Sequence, residues 1–205
     1  MTKKTVEDGG RLFKSDFLEV MTKTHIAFPL TSFYGFGIVV PILGVIYYDN
    51  SIIMSVVLAI VGILFFSLFE YLIHRYFYHM TESSKTRERL VYIFHGVHHE
   101  SPRDKKRLAL PPLLSLIVAS LFILMYWGLF GDYGLAFGGG FLIGYASYLF
   151  AHYAVHVYKP PKNFLKEVWK HHNIHHYVDP QTAYGVSSPL WDHIFGTMPK
   201  DPKKV

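Results

Sequence analysis

After a polar start the chain runs into two long apolar stretches, Ile26 to Tyr48 and Ser51 to Ile73, separated only by Asp49-Asn50. A helix of the first stretch's length rises about 34 Å at roughly 1.5 Å per residue, enough to cross the hydrocarbon core of a bilayer. Residues 74–107 are polar and charged. A third apolar run covers 108–130 and passes through Pro111-Pro112, Gly131-Asp132-Tyr133 turns the chain, and a fourth run covers 134–157 before the polar segment 158–205. This alternation predicts an all-α integral membrane protein. It has four transmembrane helices, at about 26–48, 51–73, 108–130 and 134–157, and a His-rich helical cap from 74–107 and 158–205. Pro29 suits a helix entry, Pro41 falls inside the first span, and Gly140 with Gly144 permits close helix packing. Residues 1–25 carry Leu12, Phe13, Phe17, Leu18 and Met21 at three- to four-residue spacing, the pattern of a short amphipathic helix on a membrane surface. The chain therefore divides into that segment, 1–25, and a membrane domain, 26–205. The first apolar run is too deep and too long for a cleaved secretory signal.

Charge then orients the spans. Residues 24–73 and 108–158 contain no Lys or Arg, so all twenty basic residues lie in the N-terminal segment, in 75–107 and after 158. By the positive-inside rule these segments face the cytoplasm, which puts both termini and the cap on one side of a bacterial inner membrane or the endoplasmic reticulum. The net charge of +5 is thus assigned to an anionic membrane surface, and nucleic acid is not expected as a partner.

Histidine changes the picture most. Of thirteen, twelve lie after residue 73, in His74/His79, His95-Gly-Val-His98-His99, His152/His156 and Trp169-Lys-His-His-Asn-Ile-His-His176, with His193 apart. With no cysteine there is no disulfide and no thiolate ligand. Protonated rings packed so densely would repel one another, whereas a shared cation takes neutral imidazole. His152 and His156, four apart, share a helix face. In each H-x-x-H-H block the middle ring turns about 100° from its neighbour, so one helical turn offers ligands to two adjacent ions. His74 and His79 diverge by about 140° on an ideal helix, so they either straddle a helix end or serve different ions. The ten clustered rings suit two ions, and an all-nitrogen set leaves Fe, Zn, Cu or Ni open. Glu70, Glu100, Asp104, Asp179 and Asp192 are placed to orient rings from behind, Glu70 above all, because it sits inside an apolar span. His25 and His193 read as structural.

The His pattern resembles that of the fatty acid hydroxylase/sterol desaturase superfamily of integral-membrane metal oxygenases. Within it, the run His95-Gly-Val-His-His-Glu-Ser-Pro-Arg-Asp-Lys-Lys-Arg-Leu-Ala-Leu-Pro-Pro112 is similar to the fatty acid 2-hydroxylase branch. So is the tail Tyr184-Gly-Val-Ser-Ser-Pro-Leu-Trp-Asp-His-Ile-Phe-Gly-Thr197. The resemblance implies a ligand set of His74, His79, His95, His98, His99, His152, His156, His172, His175 and His176. His171 stands outside the strict pattern. It further implies two metal ions, iron in the active enzyme with zinc a substitute after isolation, and O2-dependent hydroxylation at C2 of a long-chain fatty acid, free or in ceramide. A segment of about 25 residues before the first span is too short for a fused cytochrome b5 domain, so a separate donor, cytochrome b5-like or ferredoxin-like, is expected. Tyr145, Tyr148, Tyr153 and Tyr184 are candidates to line the acyl chain, which would lie among the spans with its polar head near the His blocks. Two other readings compete. One is carotenoid or sterol oxidation on the same metal core, against which the run from His95 to Pro112 argues. The other is metal binding or transport, whose sites lie near the bilayer midplane rather than at one edge.

Overall fold

In the computed structural model, which describes residues 12–80 and 84–200, every regular element among the described residues is helical. Three stretches are long and apolar enough to cross a membrane: Ala27–Tyr48, Ile52–Tyr78 and the 46-residue Pro112–Val157. The first is helix α2, Ala27–Tyr48, with Pro41 inside it, and Asp49 closes it in the left-handed region at φ 51°. The second is α3, Ile52–Ile73, which runs on into a π-helical turn, His74–Tyr78. The third contains α6, Pro112–Phe130, a short 3-10 turn Gly131–Tyr133, and α7, Gly134–Val157. The polar segments supply short helices: α1 Asp16–Val20, α4 Lys85–Val91, α5 Val97–Glu100, α8 Lys166–Tyr177 and α9 Leu190–Phe195.

The helix at the third apolar run starts at Pro112, not at Leu108. A proline forces the residue before it out of the α region, and Pro111 accordingly has ψ 157°; Pro112 then fits the first helical position, where its missing N–H costs nothing. Of the amphipathic segment expected over 1–25, residues 1–11 lie outside the described residues. What is described is α1, whose first turn is capped by Ser15 Oγ accepting from Leu18 N–H at 3.5 Å.

The described chain resolves into two compact units. One comprises Lys23–Leu68 and Ala109–Phe150, the other the segment up to Thr22, Phe69–Leu108 and the residues from Ala151 onward. In the first unit, α6 and α7 are antiparallel. Gly134 lies so close to Tyr126 that an added Cβ would stand 2.0 Å from its carbonyl oxygen, and Gly138 faces Ile123. α2 also runs antiparallel to α7, with Gly37 against Ile143 and Gly44 against Leu135. Missing side chains let backbones approach here, as membrane helices require when lipid supplies no hydrophobic drive between them. The two short turns are tied together: Asn50 Nδ2 donates to Asp132 O at 3.0 Å and Ser51 N–H to Tyr133 Oη at 3.3 Å. Large apolar side chains point outward, Ile53 at 79% and Ile46 at 62% exposure, as lipid allows and water would not.

In the second unit, Glu19 of α1 is buried and accepts from the amides of Leu12 and Phe13 at 2.9 and 3.0 Å. It also pairs with Arg107, which lies 3.6 Å from Asp104. The loop after the second His block is thereby fastened to the N-terminal helix.

Candidate metal centre

All ten imidazoles named from the sequence come together in this second unit, in two groups of five. His74, His79, His95, His99 and His175 form one; His98, His152, His156, His172 and His176 form the other, and within each the ligand-capable nitrogens lie within 4.8 Å of one another. Each H-x-x-H-H block is shared. His95 and His99 face the first group and His98 the second, while His175 faces the first and His172 with His176 the second. The 100° step along a helix produces this division. His152 and His156 lie together on α7, as their four-residue spacing requires.

His74 and His79 join the same group for a reason an ideal α-helix does not supply. The turn His74–Tyr78 is π-helical, so its hydrogen bonds run from i to i+5 and residues five apart share a face. His95 lies in a second such turn, Tyr92–Gly96.

The ring nitrogens converge tip to tip. In the first group Nε2 of His95 lies 3.0 Å from Nε2 of His74 and 2.8 Å from that of His99, and His175 Nε2 lies 3.0 Å from His79 Nε2. In the second, His98 Nε2 is 2.9 Å from His152 and 3.1 Å from His176, and His172 is 2.8 Å from His156. A metal–nitrogen bond of about 2.0–2.1 Å sets neighbouring ligand nitrogens roughly 2.9–3.4 Å apart. Hydrogen bonding does not account for the convergence. His74 Nδ1–H donates to Tyr184 O at 2.5 Å and His175 Nδ1–H to Thr182 O at 2.8 Å, so in each neutral ring Nε2 carries a lone pair and no proton. Such a lone pair can accept one N–H, but His95 Nε2 and His98 Nε2 each meet two other ring nitrogens while a ring nitrogen carries at most one proton, so single hydrogen bonds do not fill these contacts and a shared cation does. The residues therefore fit two metal ions, five nitrogens to each.

Burial keeps the rings in the form a metal needs. It pushes His79 down to about 4 and, with His79 nearby, His99 to about 4. His175 falls to about 3, by burial against the opposing pull of its bond to Thr182 O. His95, His98, His172 and His176 are also held below the ordinary imidazole range, first by burial and then by their neighbours.

The remaining residues named from the sequence find other places. His171 is buried but faces neither group; its Nε2 meets Asp192 Oδ2 at 2.9 Å. Asp192 is held below the usual carboxylate range: burial raises it, and hydrogen bonds from His171, Thr197 and Gly185 N–H more than reverse this. Glu70 aims at backbone amides near Val186 and not at a ring. Asp179 Oδ1 accepts from Gln181 N–H at 3.0 Å, shaping the turn whose Thr182 carbonyl anchors His175. Glu100 accepts from Tyr92 Oη at 2.9 Å, and Asp104 from Lys106 N–H at 3.1 Å. Tyr184 packs on the first group, its ring 5.8, 5.5 and 5.6 Å from those of His74, His79 and His175. Tyr153 lies edge-on to Tyr158, and Tyr145 and Tyr148 pack on Phe66 in the other unit. His25 Nδ1 accepts from Ala27 N–H at 3.2 Å beside the start of α2, and His193 is exposed on α9. The carbonyls of Thr182 and Tyr184 were not foreseen, since backbone acceptors leave no mark in a residue pattern.

Three stretches of membrane length and two all-imidazole groups that could hold metal ions point to a class: a membrane protein with a histidine-rich metal-binding region. The chain belongs to the fatty acid hydroxylase family, whose profile matches residues 59–197. It is 30% identical over 204 residues to a dihydroceramide fatty acyl 2-hydroxylase of Arabidopsis thaliana, covering 94% of this chain and 81% of that one. It is 35% identical over 191 residues to a ceramide very long chain fatty acid hydroxylase of Schizosaccharomyces pombe, covering 89% of this chain and 53% of that one. With human fatty acid 2-hydroxylase the identity is 35% over 146 residues, or 69% of this chain and 39% of the human protein. Among solved structures, the visible hydroxylase domain of full-length scs7p superposes with a TM-score of 0.81 at 30% identity, covering 92% of this chain and 71% of that one.

Proposed function

We propose that this protein is a membrane-bound, O2-dependent hydroxylase that places a hydroxyl on C2 of a long-chain fatty acyl group, free or within a ceramide. One observation carries the reading: two groups of five convergent imidazole nitrogens, each confined within 4.8 Å, in a chain of the fatty acid hydroxylase family. Relatives in that family are named as a dihydroceramide fatty acyl 2-hydroxylase, a ceramide very long chain fatty acid hydroxylase and a fatty acid 2-hydroxylase.

The ligands are His74, His79, His95, His99 and His175 for one ion and His98, His152, His156, His172 and His176 for the other, with iron in the working enzyme and zinc a substitute after isolation. Bound iron supplies the oxidation, in which O2, two electrons and two protons convert a C2–H bond to C2–OH and release water. The electrons come from a separate cytochrome b5-like or ferredoxin-like carrier. The protein's own part is to keep ten rings neutral and aimed, five towards each ion. C2 adjoins the polar carbonyl, so the head group is presented to the metal pair. Tyr184, packed on three ligand rings, is the tyrosine best placed to border that presentation.

Residues 26–205 act as one membrane domain after the N-terminal segment. The 46-residue stretch Pro112–Val157 folds back on itself at Gly131–Tyr133, so it supplies two passes, and the helices α2, α3, α6 and α7 make four spans. The Lys and Arg distribution places the termini and the metal site on the cytosolic side.

The test is lipid mass spectrometry of cells with and without the protein. The expected result is a gain of one oxygen on acyl chains or ceramides. Unchanged lipids in cells that make the metal-loaded protein would contradict the assignment.

A further inference from the structure

Four consecutive backbone amides end on two buried carboxylates. Tyr184 N–H donates to Asp192 Oδ1 at 2.9 Å and Gly185 N–H to Asp192 Oδ2 at 2.8 Å. Val186 and Ser187 N–H donate to Glu70 Oε1 at 2.7 and 3.4 Å, and Ser187 Oγ donates to Glu70 Oε2 at 2.8 Å. The segment is held at its front edge too. Ala183 sits at φ 57° and donates to Thr197 O at 3.0 Å, while Thr197 Oγ1 donates to Asp192 Oδ1 at 2.6 Å. At Gly185 a Cβ would stand 2.2 Å from Ser188 O, so the turn admits no side chain there. Asp192 and Glu70 are 0% and 7% exposed, so their oxygens have these protein donors in place of water.

This clamped segment carries carbonyls that fix metal-site rings. Tyr184 O takes the Nδ1 proton of His74, and Thr182 O, just before it, takes that of His175. Both rings belong to the first group. In the second group, Nδ1 of His98, His172 and His176 is buried with no hydrogen-bond partner. The clamped segment's carbonyls at Thr182 and Tyr184 thus meet rings of the first group.

We propose that Glu70 and Asp192 are positioning residues for the His74/His79/His95/His99/His175 site alone, an inference that rests on the two-ion reading above. Neither carboxylate touches the ion. Each holds amides of the turn, the turn holds two carbonyls, and the carbonyls keep His74 and His175 as Nδ1–H tautomers with the Nε2 lone pair facing inward. His171 completes the arrangement by fixing the second oxygen of Asp192, which accounts for a buried imidazole that ligates nothing. Site one is thus pre-formed by second-layer bonds, and those bonds can be cut without altering a ligand.

The experiment loads the full-length protein in detergent with cobalt(II), passes it over a chelating resin, and reads bound metal by plasma mass spectrometry and each site by its visible ligand-field spectrum. His79→Ala and His156→Ala supply the spectra of the protein with only one site intact. Wild type should hold two ions per chain. Glu70→Ala and Asp192→Ala should hold one, with the spectrum of His79→Ala. Asp192→Asn, whose single acceptor oxygen cannot serve both the Tyr184/Thr197 donors and the Gly185/His171 donors, should behave likewise if the alanine variant does not fold. Glu70→Gln retains an acceptor for the Val186 amide and should hold two. Glu70→Ala and Asp192→Ala losing both ions in parallel, keeping both, or showing the spectrum of His156→Ala would overturn the proposal while the two-ion reading stands. A wild type holding one ion would remove both.

Discussion

His171 and His172 are neighbours that do different things. His172 Nε2 faces His156 at 2.8 Å inside the second group, while His171, one residue and about 100° earlier, meets Asp192 at 2.9 Å. His172→Ala should lower metal content from two ions to one and abolish product. His171→Ala should keep both ions and lose roughly 1–3 kcal/mol of stability, since a buried carboxylate loses one partner. Metal analysis and thermal unfolding of the two purified variants separate these outcomes. The repeat of the spacing in His95-x-x-His98-His99 and His172-x-x-His175-His176 puts His171 outside the pattern but leaves it open as an extra ligand. The role it does have depends on Asp192, twenty-one residues away, and no local pattern reveals that.

The lowered imidazoles predict a pH response of the metal-free protein. His79 and His99 titrate near 4 and His175 near 3 in the folded chain, against about 6.5 in an unfolded one. Between those limits the unfolded state binds more protons, so stability rises with pH there and is lost as pH falls from about 6.5 towards 4. Denaturant unfolding of the metal-free protein should show a midpoint that drops steadily on acidification across that window. A midpoint flat from pH 7 to pH 4 would mean that the rings are not buried neutral.

At the scale of elements, the π-helical turn His74–Tyr78 decides whether two sequence-distant histidine blocks meet. Spacing alone left His74 and His79 diverging, because a period of 3.6 residues was assumed and the local period is wider. Inserting one alanine after Phe77 would put His79 six positions after His74, swing it by about 100° off the shared face, and empty the first group while leaving the second. Metal analysis of the insertion variant should find one ion per chain. Glycines mark where helices touch. At Gly62 a Cβ would lie 2.2 Å from Phe137 O, whereas at Gly128 nothing lies within 4 Å. Gly62→Ala should therefore cost on the order of 1–3 kcal/mol and Gly128→Ala should be close to neutral, a contrast that unfolding in detergent can measure. The long helices were legible because membrane length and apolarity are properties of composition. The short elements around Thr182–Ser188 were not, because their shape is set by hydrogen bonds to Glu70 and Asp192 from other parts of the chain.

For the whole molecule, the basic residues and the histidines make independent arguments that agree. Lys and Arg are absent from 24–73 and 108–158, and the only charged residues in the two turns between apolar runs are Asp49 and Asp132. Cysteines introduced as Asp49→Cys and Asp132→Cys should react with an impermeant reagent outside intact cells, and Lys200→Cys should react only after permeabilisation. Labelling of Lys200→Cys from outside would reverse the assigned sidedness. Beyond topology, the account stands on a single chemical claim, that an oxygen atom from O2 enters an acyl chain at the carbon next to its carbonyl. The direct measurement is product fragmentation after incubating the purified, iron-loaded protein with a long-chain acyl substrate, a reducing system and ¹⁸O2. The expected product carries one ¹⁸O at C2 and disappears with His152→Ala. A new double bond without oxygen, or ¹⁸O at a carbon remote from the carbonyl, would contradict the account.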